Sequence, residues 1–184
     1  MMLWIPVIII AVALIWLISA YNGLVRVRQR VKNGWSQIDV QLKRRYDLIP
    51  NLVETCKGYM QHEREVLENV TKARTQAIEV TGGAAEQAKA ENFLSQTLRS
   101  LFAVSENYPQ LKANENMLKL QEELTTTENR ISFARQHYND QVMKLNTRIE
   151  VFPTNLIAGT FGFAKKEFFQ TETPEEREPV KVSF

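Results

Sequence analysis

The sequence predicts an all-α protein: an N-terminal transmembrane helix followed by an elongated antiparallel three- or four-helix bundle with coiled-coil character. Three observations carry this reading. Residues Leu3 to Tyr21 contain no charge, apolar residues then recur at alternating spacings of three and four, and only 7 glycines and 6 prolines punctuate 184 residues. The length suits one domain plus an anchor, divided here as an anchor over 1–22, a bundle over 23–152 and a Phe-rich, acidic, extended tail over 153–184.

The anchor, LWIPVIIIAVALIWLISAY, is nineteen residues long. At about 1.5 Å per residue it reaches roughly 28 Å, close to the hydrocarbon thickness of a bilayer. Pro6 falls in the first turn, where a missing N–H is tolerated. Trp4, Trp16 and Tyr21 lie towards the two ends and are the candidate interfacial aromatics, Trp16 being somewhat deep for that role. A cleaved signal peptide is the weaker reading. No Lys or Arg precedes the apolar run, and the best cleavage position, after Ala20, has Ile18 where a small residue is needed. A buried core helix is weaker still, because soluble helices rarely stay apolar on every face.

Charge is placed unevenly. Arg26, Arg28, Arg30, Lys32, Lys43, Arg44 and Arg45 face only Asp39, a local excess of +6, whereas the segment from Glu167 onward carries five Glu against Arg177 and Lys181. With every nearby cation on the C-terminal side of the span, the positive-inside rule predicts the N-terminus outside and the body in the cytoplasm. Arg26, Arg28, Arg30 and Lys32 are also the candidate contacts to anionic lipid headgroups, at about 1 kcal/mol per charge. A plain topology signal is the simpler role, and the two are compatible. Nucleic acid is not an expected partner, since the basic stretch abuts a span and lacks the aromatics of RNA-binding modules.

Beyond the anchor, Leu24, Arg28, Val31, Trp35, Ile38, Leu42, Arg45, Ile49, Leu52, Cys56, Tyr59, Glu63, Val66, Val70, Ala73, Ala77 and Val80 alternate by four and three, and fourteen of the seventeen are apolar or aromatic. Pro50 interrupts this seam, and Asp47 is placed to cap a fresh helix, so a kink or short break is predicted near Asp47. Thr81-Gly82-Gly83 predicts a turn. A third helix follows over about 84–106, with Ala88, Phe93, Leu94, Leu98, Leu101 and Phe102 inward, and Tyr108-Pro109 ends it. The fourth runs over about 114–152 on Met117, Leu120, Leu124, Thr127, Ile131, Ala134, Tyr138, Val142, Leu145, Ile149 and Phe152, and Pro153 stops it. These stripes must be covered, by one another or by other copies of the chain, so a homo-oligomer is an expectation alongside an intramolecular bundle. In the tail, Phe161, Phe163, Phe168 and Phe169 either dock on the bundle or touch a membrane or partner.

The search for chemistry returns little. His62 and His137 lie among polar helical residues, and no spacing of Cys and His suits a metal. Gly82-Gly83 lacks the pattern of a phosphate loop, and no G-x-S-x-G elbow exists. Cys56, the single cysteine, sits on the apolar seam as an inert thiol would. No cofactor is expected, and the missing constellations argue against an enzyme. Arg45 on the seam is a candidate structural ion pair with Glu128; the alternative is an arginine stem that snorkels out to water.

Four runs are similar to the LemA family of bacterial membrane proteins: YNGLVRVRQRVKNGWSQIDVQLKRRYDLIPNLVETCKGY (Tyr21–Tyr59), YPQLKANENMLKLQEELTTTENRISFARQHYND (Tyr108–Asp140), FPTNLIAGTFGF (Phe152–Phe163) and the terminal VKVSF. The resemblance spans nearly the whole chain. It implies a membrane-anchored helical bundle without accepted catalytic residues, so none is carried over. Members are linked to membrane organelle formation, as in the magnetosome protein MamQ, and others to a membrane metalloprotease of the HtpX type. The expected function is therefore a self-associating scaffold or adaptor that organises membrane proteins or the membrane itself. A regulatory partner of a membrane metalloprotease is the alternative.

Overall fold

The computed structural model describes residues 4–169. Regular structure in them is helical throughout: α1 (Trp4–Lys57), α2 (Arg64–Glu79), α3 (Ala84–Ser105), α4 (Pro109–Lys112), α5 (Glu115–Glu150) and α6 (Thr154–Thr160). Two compact units emerge, residues 4–39 with 133–167 and residues 40–132 with 168–169, and α1 and α5 contribute to both. The acidic extended stretch expected over 171–184 lies outside the described residues.

In the first unit α1 begins bare. Every side chain from Trp4 to Ser19 is exposed, and among the described residues this is the one helix long and apolar enough to cross a membrane. Beyond Tyr21 its apolar residues fall on one face, and Leu24, Val27, Val31 and Ile38 become buried. They are covered by Tyr138, Val142 and Leu145 of α5, which runs antiparallel: Gly23 lies beside Arg148, and Gly34 beside Tyr138. A Cβ on Gly34 would stand 3.2 Å from the Tyr138 backbone, so the absent side chain lets the two helices close up. The Trp35 ring meets Tyr138 edge-on at 5.5 Å in the next position.

The segment after Pro153 was expected to be extended, but Thr154–Thr160 forms α6. The helix ends in a Schellman motif: Gly162 takes φ +66°, its N–H donates to Gly159, and the Phe163 N–H donates to Ala158 at 2.9 Å. Phe163, Ile157 and Ala158 then pack on Leu24 of α1. The chain returns along α5 through a reciprocal pair, in which the Asn146 amide donates to the Lys166 carbonyl and accepts from the Lys166 N–H, both at 2.9 Å. Phe152 departs from its expected place on the apolar stripe and stands exposed, because α5 ends at Glu150 and the chain turns away.

The second unit packs the C-terminal part of α1 with α2, α3 and the N-terminal part of α5. Its core includes Ile49, Leu52, Cys56, Val70, Leu94, Leu101, Leu111 and Leu124. The predicted turn at 81–83 joins α2 to α3, and Asn114 caps α5, its side-chain oxygen accepting from the Asn116 and Met117 N–H groups at 2.9 and 3.1 Å. Phe93, expected inward, is exposed. The buried face of α3 is instead Ala84, Gln87, Ala88, Glu91, Leu94, Leu98, Leu101 and Ser105.

The break expected near Asp47 is a further correction, since α1 continues through Pro50 and gives way only after Lys57. Proline at position 50 withholds the N–H that would bond the carbonyl four residues earlier, at Tyr46. Arg74 of α2 supplies the replacement: its Nε donates to the Tyr46 carbonyl at 2.8 Å. A bond from another helix thus substitutes for the one that proline removes. The Arg74→Met variant is expected to lose about 1–3 kcal/mol in denaturant unfolding of the detergent-solubilised protein, through a part-buried carbonyl left unpaired. In a Pro50→Ala background the regained N–H should shrink that loss. Equal losses in both backgrounds would refute the compensation.

Candidate functional site

Position 45 faces the interior because the heptad of α1 places it there, between Leu42 and Ile49. The Arg45 side chain is 1% exposed, so it does not reach water as a snorkelling arginine would. Its Nη1 donates to Glu128 of α5 at 2.5 Å and to Ser95 of α3 at 2.9 Å. Its Nη2 donates to Glu91 of α3, whose carboxylate is fully buried. The other Glu91 oxygen accepts from the Tyr46 hydroxyl and, at 2.8 Å, from the Gln87 amide, which also bonds the Ala77 carbonyl of α2 at 3.0 Å. Four helices therefore converge on one polar cluster of the second unit.

Electrostatically, two carboxylates face one guanidinium, and the hydrogen bonds donated to Glu91 by Tyr46 and Gln87 and to Glu128 by Ser95 help to offset the surplus negative charge. Burial pulls the Arg45 pKa below its ordinary value, while the nearby Glu128 charge and its hydrogen bond oppose the drop. The Arg45 Nε has no hydrogen-bond partner among the described residues. The structure brings Arg45 and Glu128 together and adds Glu91, which sequence reasoning missed. The signal was available, since Glu91 lies three residues from both Ala88 and Leu94 and so on their stripe.

The collar lies in the first unit. Arg26, Arg30 and Lys32 are exposed, with the Arg26 Nε donating to the Asn22 carbonyl at 3.3 Å. Arg28 differs: it is half-buried, and its guanidinium lies 4.9 Å from the centre of the Phe163 ring. Among the anchor aromatics, Trp4 and Trp16 are exposed, whereas Tyr21 is half-buried and meets the Phe161 ring at a tilt at 4.9 Å and the Phe163 ring edge-on at 5.8 Å.

Elsewhere the chemistry is sparse. His62 and His137 are exposed, and the described residues hold no group of His, Cys, Asp and Glu arranged to bind a metal. Cys56 is fully buried, and burial pushes its thiol up to about 11. A cleft of about 810 Å³ in the second unit is lined by Val53, Met60 and Leu67 with Lys57, Arg64, Glu68 and Lys72, without a nucleophile and base in hydrogen-bond contact.

An exposed apolar span, cations at its end and polar side chains turned on one another define a class, the membrane-associated helical bundle. The LemA family model matches residues 34–184, and the chain belongs to that family. Among its relatives, the Magnetosome protein MamQ 2 of Paramagnetospirillum magneticum is 25% identical over 89% of this chain and 69% of its own length. Protein LemA of Metamycoplasma hominis is 25% identical over 84% of this chain and 70% of its own. The Magnetosome protein MamQ of Magnetospirillum gryphiswaldense is 23% identical over 98% and 75%.

Two outcomes follow from this geometry. Arg45→Met strands the buried Glu91 carboxylate and should cost about 3–5 kcal/mol, whereas Arg45→Met combined with Glu91→Leu removes both charges and should recover most of it. Thermal unfolding in detergent measures both, and equal losses would refute the pairing. The neutral Cys56 thiol itself adds no pH dependence to stability below its ordinary pKa near 9.0. Stability should then fall as pH rises towards about 11, because the unfolded chain releases this proton first. Maleimide labelling of the native protein at pH 8 should accordingly be far slower than in denaturant.

Proposed function

We propose that this protein is a membrane-tethered helical scaffold or adaptor that self-associates and organises membrane proteins or the membrane itself. The observation that carries the reading is the continuity of α1, which passes from the exposed apolar segment into the first unit without a break. A helical junction transmits orientation as a flexible linker does not, so the first unit is held at a set angle to the bilayer. The kinship with two magnetosome proteins supports a role at membranes.

Self-association draws support from large apolar side chains left in water. Phe133 and Met143 of α5 are exposed in the first unit, as Phe93 and Leu118 are in the second. The N-terminus lies outside and the body in the cytoplasm, against the inner membrane of a bacterium; the one-sided cations after the span support that orientation. Arg26, Arg30 and Lys32, exposed just beyond the span, meet anionic headgroups.

The mass of the detergent-solubilised protein, corrected for bound detergent, tests the reading. A multiple of the 21.3 kDa chain is expected, and a monomer at membrane-like concentration would sink self-association. Crosslinked membranes should return chiefly the protein itself. Recovery of one protease in near-equal amount would instead favour a regulatory partner of a membrane metalloprotease.

A further inference from the structure

The corner between α5 and α6 breaks the usual rule for exposed surface. Residues 151–164 carry no charge, yet they are bracketed by Arg148 and Glu150 on one side and by Lys165 and Lys166 on the other. Within this stretch Phe152 is 74% exposed and Leu156 63%, and Val151 and Phe161 are each about half exposed. Four large apolar side chains in eleven residues is a patch that a water-facing surface seldom keeps.

Its location names what covers it. Tyr21 is the last residue of the uncharged span, and its ring rests on Phe161. Arg148 and Thr154 share a cleft with Trp16, Ser19 and Ala20, which belong to the span itself. The corner is therefore level with the zone where hydrocarbon gives way to headgroups. Backbone polarity presents no obstacle there, since α6 and its Gly162 cap pair the amides of the turn internally. The flanking cations Arg26, Arg148 and Lys166 are long enough to extend to phosphates, while Lys165 is paired with Glu150.

We infer that the α5–α6 corner is a second membrane contact, an interfacial wedge that seats Val151, Phe152, Leu156 and Phe161 in the leaflet from which α1 emerges. The occupant of the patch is the lipid bilayer. The inference rests on α1 crossing that bilayer and is independent of self-association.

Nitroxide labels on single cysteines in the full-length protein test it, in a Cys56→Ala background and in vesicles of phosphatidylethanolamine and phosphatidylglycerol. Labels at Phe152→Cys and Leu156→Cys should collide more often with oxygen than with a water-soluble nickel chelate. A label at Phe133→Cys, seventeen residues or roughly 26 Å before the end of α5, should show the reverse. A label at Leu14→Cys reports on the span alone and should read as deep. Water-like labels at 152 and 156 with a deep label at 14 would overturn the wedge and leave the span standing. Spin–spin broadening at 152 with water-like accessibility would assign the patch to a second copy and also overturn it. A water-like label at 14 would overturn the span and the wedge together.

Discussion

The constraint on which this structure depends is that α1 leaves the apolar span with an apolar stripe still on one face. In a bilayer a helix tolerates apolar side chains all round, but in water each exposed one carries a cost, so the stripe must be covered from Leu24 onward. In the first unit the cover comes from α5, running antiparallel at the same three-and-four spacing, and Gly34 permits its close approach to Tyr138. Because that spacing persists beyond residue 40, the second unit inherits the same demand and meets it with α2 and α3 as well as α5. The fold is the solution to one helix's coverage problem.

Apolar stripes alone leave the register of such helices weakly determined, since neighbouring leucines are nearly interchangeable partners. The Arg45 cluster supplies the missing selectivity. A slip of one turn between α1 and α3 would part Arg45 from Glu91 and leave that buried carboxylate without its counter-charge, a penalty far above that of mismatched methyl groups. The same logic extends to the whole cluster on which four helices converge, since each hydrogen bond between helices within it also restricts where those helices can lie. Pro50 adds a second tie, because the carbonyl it leaves unpaired draws in Arg74 and with it α2.

Much of this was legible in the sequence, for identifiable reasons. The span, the seams, the turn at 81–83 and the start of α5 depend on periodicity or local chemistry, which nearby residues report directly. What was missed depended on partners far along the chain. Pro50 looked like a break because its remedy, Arg74, lies twenty-four residues away. Phe93 looked inward on hydrophobicity, yet Glu91 and Gln87 hold the buried positions because Arg45 and Tyr46 await them. α6 was read as extended because seven residues with two threonines and a glycine carry little helical signal; packing of Ile157 and Ala158 on Leu24 decides it.

The different fates of the collar cations bear on what the anchor does. A lone span fixes a protein's depth but leaves it free to tilt in any direction, so cations spread around α1 would meet headgroups equally. Here Arg28 is drawn over Phe163 while Arg26, Arg30 and Lys32 remain in solvent, because α6 and the turn after it occupy one side of the helix. The collar is therefore one-sided, with apolar aromatics in the remaining sector. With the wedge seated in the leaflet, tilting α1 away from the wedge would pull Phe152 and Leu156 into water and tilting it towards the wedge would drive cations into hydrocarbon, and both are opposed. Two attachments of unlike chemistry on one rigid unit fix its tilt as well as its depth. A scaffold gains from this, since a fixed tilt and depth hold the first unit in the same attitude to the bilayer in every copy.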